Sequence, residues 1–288
     1  MAEVFGVVAS ALSVAALFNN CVDCFEYVQL GRQFGRDFER SQLKLDIART
    51  RLGRWGESVL INQDPRFASN APTDKVARLT QSILEEIVLL FQSTQKTSKR
   101  YEMVADEGDL GVLDIQDMPP IVRSLHHKLG ALASRRQQNT SLAKKAKWAL
   151  YDGKNLGKLI DQIVAFIDDL EKLVPPSKQP ETLVEFEIEE VNDEVGLAAL
   201  KDASKGIDPL LGNAVERKVD SIQGRNSVET VQTDEQARVQ TGNVYTGAAL
   251  GQLGLISDQT INSAGAISSK GQSGVQVGNI FGGKGIWD

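Results

Sequence analysis

Residues 226–246 read NSVETVQTDEQARVQTGNVYT, and residues 262–282 repeat the pattern as NSAGAISSKGQSGVQVGNIFG. The two segments agree at seven of 21 positions, where composition alone would give about one. The identical pairs are Asn226/Asn262, Ser227/Ser263, Gln236/Gln272, Val239/Val275, Gln240/Gln276, Gly242/Gly278 and Asn243/Asn279. Equal spacing with like residues is what two copies need if they stack on each other and share one core.

Within each copy, short β-prone runs alternate with Gly and Asn, and such runs can stack in register as rungs. With one copy as one rung and the other as the next, three kinds of column are expected. Amide ladders would form at Asn226/Asn262, Asn243/Asn279 and Gln236/Gln272, and a charge pair at Asp234/Lys270. The inner apolar column would hold Val231/Ile267, Val239/Val275 and Val244/Ile280. A low-complexity linker without order is the alternative interpretation.

The composition of the chain changes near Gly224, which predicts a boundary between residues 1–223 and residues 224–288. The second part holds 12 of the 25 glycines, three leucines and no proline. It cannot build a globular core, so we expect it to be largely disordered as a monomer. The first part is rich in Leu, Ala, Glu and Lys, and within a chain of 288 residues that is 41% apolar it can bury a sizeable core.

Helical periodicity in the first part predicts an all-α bundle of seven or eight helices. The expected helices beyond the N-terminal segment are residues 36–60, 73–104, 120–150 with a possible break near Thr140, 154–174, 181–204 and 208–222. The helix that begins at Thr73 or Asp74 is expected to bury Val76, Leu79, Ile83, Ile87, Leu90 and Phe91.

The N-terminal segment from Val4 to Val22 is a stretch of 19 uncharged residues of weak hydrophobicity. A secretory signal is disfavoured, because Glu3 precedes the segment and no Lys or Arg does. A buried core helix and a conditional membrane segment remain open as interpretations. In the membrane interpretation the segment would act through its apolar residues Val4, Phe5, Val8, Leu12, Val14, Leu17 and Phe18.

Charge is segregated along the helical part. Residues 123–158 carry nine Lys or Arg against the single acid Asp152, whereas residues 181–194 carry seven acids and no base. The two segments can be solvated, complementary faces, or the basic one can be a face for anionic lipid heads. The net charge of −6 argues against a nucleic-acid partner.

The sequence contains no recognisable catalytic, cofactor or metal motif. There is no phosphate-binding loop, nucleophile elbow or metalloprotease helix motif. Cys21 and Cys24 have redox-motif spacing but no strand before them, and two cysteines suggest a reducing compartment. The adjacent His126 and His127 point to different helix faces, so a zinc site lacks ligands. We therefore expect no enzyme activity, no cofactor and no metal.

Beyond these patterns, the sequence resembles the HET-s/HET-S heterokaryon-incompatibility proteins of filamentous fungi along essentially its whole length. In the tail the resemblance rests on the two repeats and the closing GGKGIWD, residues 282–288. In the helical part it rests on FNNCVDCFEYVQLGR (18–32), DPRFASNAPTDK (64–75), QKTSKRYE (95–102) and SLAKKAKWALYDGK (141–154).

The resemblance implies an N-terminal HeLo domain and a C-terminal prion-forming domain whose repeats form a β-solenoid amyloid. It implies three partners: the chain itself or a related HET-s/HET-S-type protein, a NOD-like receptor with a similar repeat, and membrane lipid. The toxic type would leave the cytoplasm for the plasma membrane when amyloid formation releases the N-terminal segment, and an inert prion type also exists in the family. A helical scaffold with a disordered tail is the alternative.

The repeats depart from the family pattern of three opposite-charge pairs, because only Asp234/Lys270 is retained. Gln236 meets Gln272, and Glu229 meets Gly265. We expect assembly that is slower or more pH-dependent than in a fully paired relative, and identical fibre kinetics at acidic and neutral pH would contradict this.

Overall fold

The computed structural model describes residues 12–69, 74–137, 147–176, 180–189, 191, 193–222, 225–242, 244–245, 261–278 and 280–281. By its internal contacts the chain divides into two compact units, Met1–Val215 and Glu216–Asp288. The boundary falls within a helix, eight residues before the boundary expected from composition.

Nine α-helices lie in the part of the chain that the structure describes. They are α1 (Val14–Glu26), α2 (Phe38–Ser58), α3 (Pro65–Ala68), α4 (Lys75–Glu102), α5 (Pro120–Arg136), α6 (Gly153–Leu173), α7 (Pro180–Ile188), α8 (Glu194–Ser204) and α9 (Pro209–Ile222). Asp side chains begin several of them, since Asp74 accepts a hydrogen bond from the Ala77 amide at 2.8 Å and Asp152 accepts one from the Lys154 amide at 2.9 Å. The helical bundle predicted from periodicity is confirmed.

Helix α2 is the centre of the first unit and is buried on almost every side. It packs against α1, α5, α6, α7 and α8. Its apolar residues Leu45, Leu52 and Trp55 are buried. Polar side chains of α2 are also buried, and these need partners from other helices because an unpaired buried charge is strongly destabilising.

Arg54 of α2 lies at the centre of a buried ion network. Its guanidinium donates two hydrogen bonds to Glu187 at 2.9 and 2.8 Å, and two to Asp208 at 3.2 and 2.5 Å. Arg136 of α5 donates to the same Glu187 at 2.7 Å. Since Arg136 belongs to the basic segment and Glu187 to the acidic one, this contact favours complementary charge as the reason for their segregation.

The prediction of a helix over residues 120–150, with a possible break near Thr140, is confirmed for Pro120–Arg136 and wrong for residues 148–150. Helix α5 ends at Arg136, and Trp148–Leu150 form a strand, β2, that pairs in parallel with β1 (Val28–Leu30). Ser98 of α4 contacts the Ala149 carbonyl through its hydroxyl. The strand forms because its backbone groups find partners 120 residues earlier in the chain, which no local pattern reveals.

Two further predictions in the helical part need correction. Residues 181–204 form two helices, α7 and α8, and Asp193 begins α8 by accepting from the Gly196 amide at 2.5 Å. Leu79, expected in the core, is 43% exposed, because α4 buries a neighbouring stripe through Leu84, Ile87 and Phe91. That stripe includes polar Thr80, Gln95 and Ser98, which hydrophobic periodicity cannot detect.

The second unit carries two successive groups of strands. The first rung comprises β3 (Arg225–Thr233), β4 (Arg238–Thr241) and β5 (Val244–Tyr245). The second rung comprises β6 (Ile261–Ser269), β7 (Gly274–Val277) and β8 (Ile280–Phe281). Each strand of the first rung pairs in parallel with its counterpart in the second, as β3–β6, β4–β7 and β5–β8.

Candidate functional site: the paired rungs and the buried first helix

The two rungs pair with a constant offset of 36 residues. Asn226 lies opposite Asn262, Val231 opposite Ile267, and Val239 opposite Val275. Val244 lies opposite Ile280 in the last pair. Each paired position of the described strands therefore lies next to its own counterpart, which is the arrangement that a self-stacking solenoid requires.

A side-chain amide hydrogen bond joins the rungs at the first residue of each repeat. Asn226 Nδ2 donates to Asn262 Oδ1 at 2.8 Å. A second polar contact, which sequence comparison did not suggest, runs from Thr233 Oγ1 to Ser273 Oγ at 3.0 Å. Asn243 and Asn279 lie outside the described residues, and their ladder stays a prediction.

The backbone turns of the two rungs are equivalent. Gly242 and Gly278 have φ values of 119° and 122°, which explains why glycine recurs at this position. At the earlier turn Gly271 has φ 68°, whereas the equivalent residue of the first rung is Glu235, with φ 55°. A side chain in this left-handed region is strained by about 1–2 kcal/mol.

Two predicted polar columns are located at this earlier turn. Gln236 and Gln272 are both exposed, and no hydrogen bond joins their side chains among the described contacts. Asp234 and Lys270 are also exposed and form no ion pair there; Asp234 Oδ1 accepts from the Glu235 amide at 2.8 Å. These four residues lie at the turn, and within the described part of one chain their side chains form no ladder.

The apolar column is covered unequally in the two rungs. Val231 is 6% exposed, whereas its partner Ile267 is 50% exposed. Val239 and Val275 are both half-buried. The exposed Ile267 on the second rung is an apolar surface of the kind that a further rung would cover.

Glu229 forms no ion pair with a base among the residues that the structure describes. A Cβ at the equivalent Gly265 would lie 2.5 Å from the Glu229 carbonyl oxygen, so that position accepts only glycine without a backbone shift. Along a stack, Glu229 would recur every second rung, at a spacing of about 9.5 Å. At that spacing repulsion in water is about 0.4 kcal/mol before screening, a small effect.

The other candidate element is α1, which contains residues 14–22 of the predicted membrane segment. Val14, Leu17 and Phe18 are at most 1% exposed, and Leu12 before the helix is half-buried. Val4, Phe5 and Val8 lie outside the described residues. No helix among the described residues has both the length and the apolar character needed to cross a bilayer.

Phe18 of α1 packs directly on Gly56 of α2. A Cβ at Gly56 would lie 2.2 Å from the nearest Phe18 ring carbon, so glycine is what allows the two helices to approach. The Phe18 ring also meets Trp55 edge-on, with ring centroids 6.2 Å apart. Sequence periodicity marks Phe18 and Trp55 as apolar but gives no sign of the role of Gly56.

Polar contacts of α1 complete its burial. Gln137 Nε2 donates to Asp23 Oδ1 at 2.9 Å and to the Asn19 carbonyl at 3.0 Å. Burial, with a smaller contribution from the negative charge of Asp23, raises the pKa of Tyr27 to about 12. Cys21 Sγ donates to the Leu84 carbonyl at 3.2 Å, so this thiol is part of the packing between α1 and α4.

His126 is bound to a carboxylate within the bundle. Its Nδ1 lies 2.7 Å from Asp46 Oδ2, between α5 and α2. Desolvation by burial lowers the pKa of His126, but the hydrogen bond and charge of Asp46 outweigh it, and the net direction is upward. Among the described residues no group of three His, Cys, Asp or Glu side chains could hold a metal ion.

Comparison with known proteins covers both units. Residues 6–200 match the HeLo family, described as prion-inhibition and propagation, and residues 218–282 match the family described as Het-s 218-289. The chain belongs to the HET-s/HET-S family. Heterokaryon incompatibility protein s of Podospora anserina is 60% identical over 288 residues, and heterokaryon incompatibility protein S of the same fungus is 59% identical, each covering 100% of both chains.

Solved structures of the family confirm the helical fold. The HET-S N-terminal domain matches with a TM-score of 0.74 and 61% identity, covering 77% of this chain and all of that one. A doubly substituted HET-s N-terminal domain matches with a TM-score of 0.70 and 62% identity, covering 72% of this chain and 99% of that one. The tail match begins at residue 218, within α9, so the end of this helix lies in the matched tail region, whereas the HeLo match ends before α9 begins.

Proposed function

We propose that this chain is a heterokaryon-incompatibility prion protein in which stacking of the rungs triggers the helical domain. The observation that carries the proposal is the pairing of the rungs at a constant offset of 36 residues. Because each position meets its own equivalent, a second chain can continue the same pattern at either open edge. A self-templating assembly follows from this register.

The trigger is helix α9. Residues 218–222 are helical in the described chain, and they also belong to the matched prion-forming region. A residue cannot be in α9 and in a stacked rung at once, so assembly that recruits these residues removes the end of α9. Asp208, which begins α9 and neutralises Arg54, connects this event to the core of the helical domain.

The effector is the N-terminal segment that includes Val4, Phe5, Val8, Leu12, Val14, Leu17 and Phe18. Its described part is buried against α2, and loss of that packing exposes an apolar surface that inserts into the membrane. The partners are a second copy, a related HET-s/HET-S-type protein, a NOD-like receptor with a similar repeat, and membrane lipid. The protein would act in the cytoplasm and move to the plasma membrane on activation.

Leakage of anionic phospholipid vesicles tests the proposal. Full-length protein is mixed with vesicles, with and without fibre seeds of the same protein. Seed-dependent leakage identifies the toxic type, and fibres without leakage identify the inert prion type. If no cross-β fibres form at all, the protein is a helical scaffold and the proposal is wrong.

A charge in the N-terminal segment separates insertion from assembly. Gly6→Asp and Ala9→Asp are expected to abolish leakage and leave seeded fibre formation unchanged, because a charge in the hydrocarbon region costs about 2.5–3.5 kcal/mol or more. Leakage that persists in both variants would exclude this segment as the membrane element.

A further inference from the structure

Gln240 and Gln276 lie opposite each other in the β4–β7 pair. Both side chains are half-buried, unlike the exposed glutamines at the turn. Gln240 Nε2 and Gln276 Oε1 are shielded from solvent, and the described residues offer neither atom a hydrogen-bond partner. Shielded polar atoms without partners are rare in folded proteins, and each one calls for an explanation.

The two unpartnered atoms are complementary. One is an amide donor on the first rung, and the other is a carbonyl acceptor on the second rung. The bonded pair Asn226/Asn262 has the same direction, since its first-rung amide donates to its second-rung carbonyl. A rotation of the two glutamine side chains that joins these atoms would therefore repeat the Asn226/Asn262 bond at a second column.

We propose that Gln240 and Gln276 form a continuous amide ladder between copies of this chain, which makes this column a recognition site for a second copy with glutamine at both positions. Gln240 Nε2 donates to Gln276 Oε1 within a chain, and Gln276 Nε2 donates to Gln240 Oε1 of the next copy. Within the described part of the single chain, Gln276 Nε2 has one long contact, 3.5 Å, with the Gly278 carbonyl. The proposal rests on the stacking of rungs proposed above.

The ladder allows a growing fibre to discriminate between chains that carry glutamine at both positions and chains that do not. A chain with an apolar residue at one of the two positions would leave the neighbouring glutamines shielded and unpartnered at every contact. Removing one partner of a buried hydrogen bond costs more than replacing both partners by apolar groups. Growth from a mismatched fibre end is therefore slower than growth from a matched one.

Leucine substitutions in the full-length chain test the ladder. Gln240→Leu and Gln276→Leu alone are expected to slow elongation from their own seeds by about tenfold or more. The double variant is expected to recover most of the rate, because its column is uniformly apolar. Gln232→Leu, at an exposed position of β3, is the control and should elongate like the unmodified chain.

Cross-seeding measures selection directly. Unmodified protein is expected to grow about tenfold more slowly on double-variant fibres than on its own, and the reverse combination should show the same preference. Single variants that elongate as fast as the unmodified chain, or faster as leucine's hydrophobicity alone would predict, overturn the ladder.

Solid-state NMR of mixed fibres gives a second readout. Chains labelled with ¹⁵N at glutamine are co-assembled with chains labelled with ¹³C at glutamine, and a contact between side-chain Nε2 and Cδ is expected between molecules. In chains with both Gln236 and Gln272 replaced by Ser, which removes the other predicted glutamine column, the contact should persist, and a further Gln240→Leu substitution should abolish it. Fibres of unmodified protein without this contact overturn the ladder alone, whereas failure of that protein to form fibres overturns the stacking and the ladder together.

Discussion

At the scale of single residues, the turn positions show how two rungs with different sequences share one backbone. The equivalent residues Glu235 and Gly271 both have positive φ, but only Gly271 adopts it without strain. The first rung is therefore the less favourable copy of this turn. The same comparison at Gly242 and Gly278 shows no difference, because glycine occupies both positions.

Glu235→Gly is expected to stabilise the fibres. The substitution relieves strain of about 1–2 kcal/mol against a backbone-entropy cost of about 0.5–1 kcal/mol. The guanidinium concentration that dissolves half of the fibres should rise. Gly271→Ala should lower it, because the added Cβ would lie 2.9 Å from the Glu235 carbonyl oxygen. A lower midpoint for Glu235→Gly would contradict the strain at this turn.

His126 is expected to make the stability of the helical domain depend on pH. Its pKa in the folded chain is raised by Asp46 despite burial, with small opposing effects of Arg49 and Lys147. The stabilisation that the His126–Asp46 pair gives to the folded helical domain is therefore fully present below the unfolded pKa of about 6.5. It is lost as pH rises through the folded pKa of His126.

Urea unfolding of His126→Gln at about pH 6 and about pH 8 measures this contribution. The free-energy difference from the unmodified chain should be larger at the lower pH. His127→Gln, the exposed neighbour, serves as the control. An equal free-energy difference at both pH values would show that protonation of His126 does not strengthen its pair with Asp46.

At the scale of elements, the contact between α1 and α2 holds the described part of the N-terminal segment in the bundle. It depends on close approach at Gly56, where Phe18 occupies the space that a side chain would fill. One turn earlier on α2, Gly53 has more room, since a Cβ there would lie 3.4 Å from Arg136 Cδ. The two glycines form a matched pair on the same helix.

Gly56→Ala is expected to destabilise the helical domain by about 1–3 kcal/mol through overpacking against Phe18. Gly53→Ala should be neutral or slightly stabilising, because alanine favours helix over glycine by about 1 kcal/mol. Urea unfolding measures both. In vesicle assays Gly56→Ala should also leak more readily without seeds. Similar free energies of unfolding for Gly56→Ala and Gly53→Ala would show that the packing of α1 on α2 does not require the close contact between Phe18 and Gly56.

At the scale of the whole molecule, Asp208 connects the start of α9 to the core of the helical domain. It is 1% exposed, caps α9 by accepting from the Leu211 amide at 3.1 Å, and neutralises Arg54. Asp202 provides a contrast, because its ion pair with Arg40 is about half-exposed on both sides. Exposed pairs of that kind contribute about 0–1 kcal/mol.

Asp208→Ala is expected to destabilise the helical domain by about 3–5 kcal/mol, since it leaves Arg54 with one carboxylate partner in a buried site. Asp202→Ala should change stability by less than about 1 kcal/mol. Chemical denaturation followed by circular dichroism compares them. Equal effects would mean that the Arg54–Asp208 pair adds nothing beyond an exposed contact.

The sequence by itself determined the register of the rungs, the helical class of the first unit and the family. Register is encoded because each repeat position carries its own partner at a fixed spacing, so Asn226 and Asn262 can be matched without coordinates. Helical periodicity likewise located α2, α4, α6 and α9.

Only the tertiary structure decided which polar and small residues hold the bundle together. The Arg54 network, the Phe18–Gly56 approach and the β1–β2 pair all join residues far apart in the chain, and no local period marks them. The same holds for Gln240 and Gln276: their identity is visible in the repeats, but the lack of partners for their shielded atoms appears only when the rungs are packed. Local patterns encode which residues are apolar or repeated, whereas burial of a polar atom depends on what the rest of the chain places beside it.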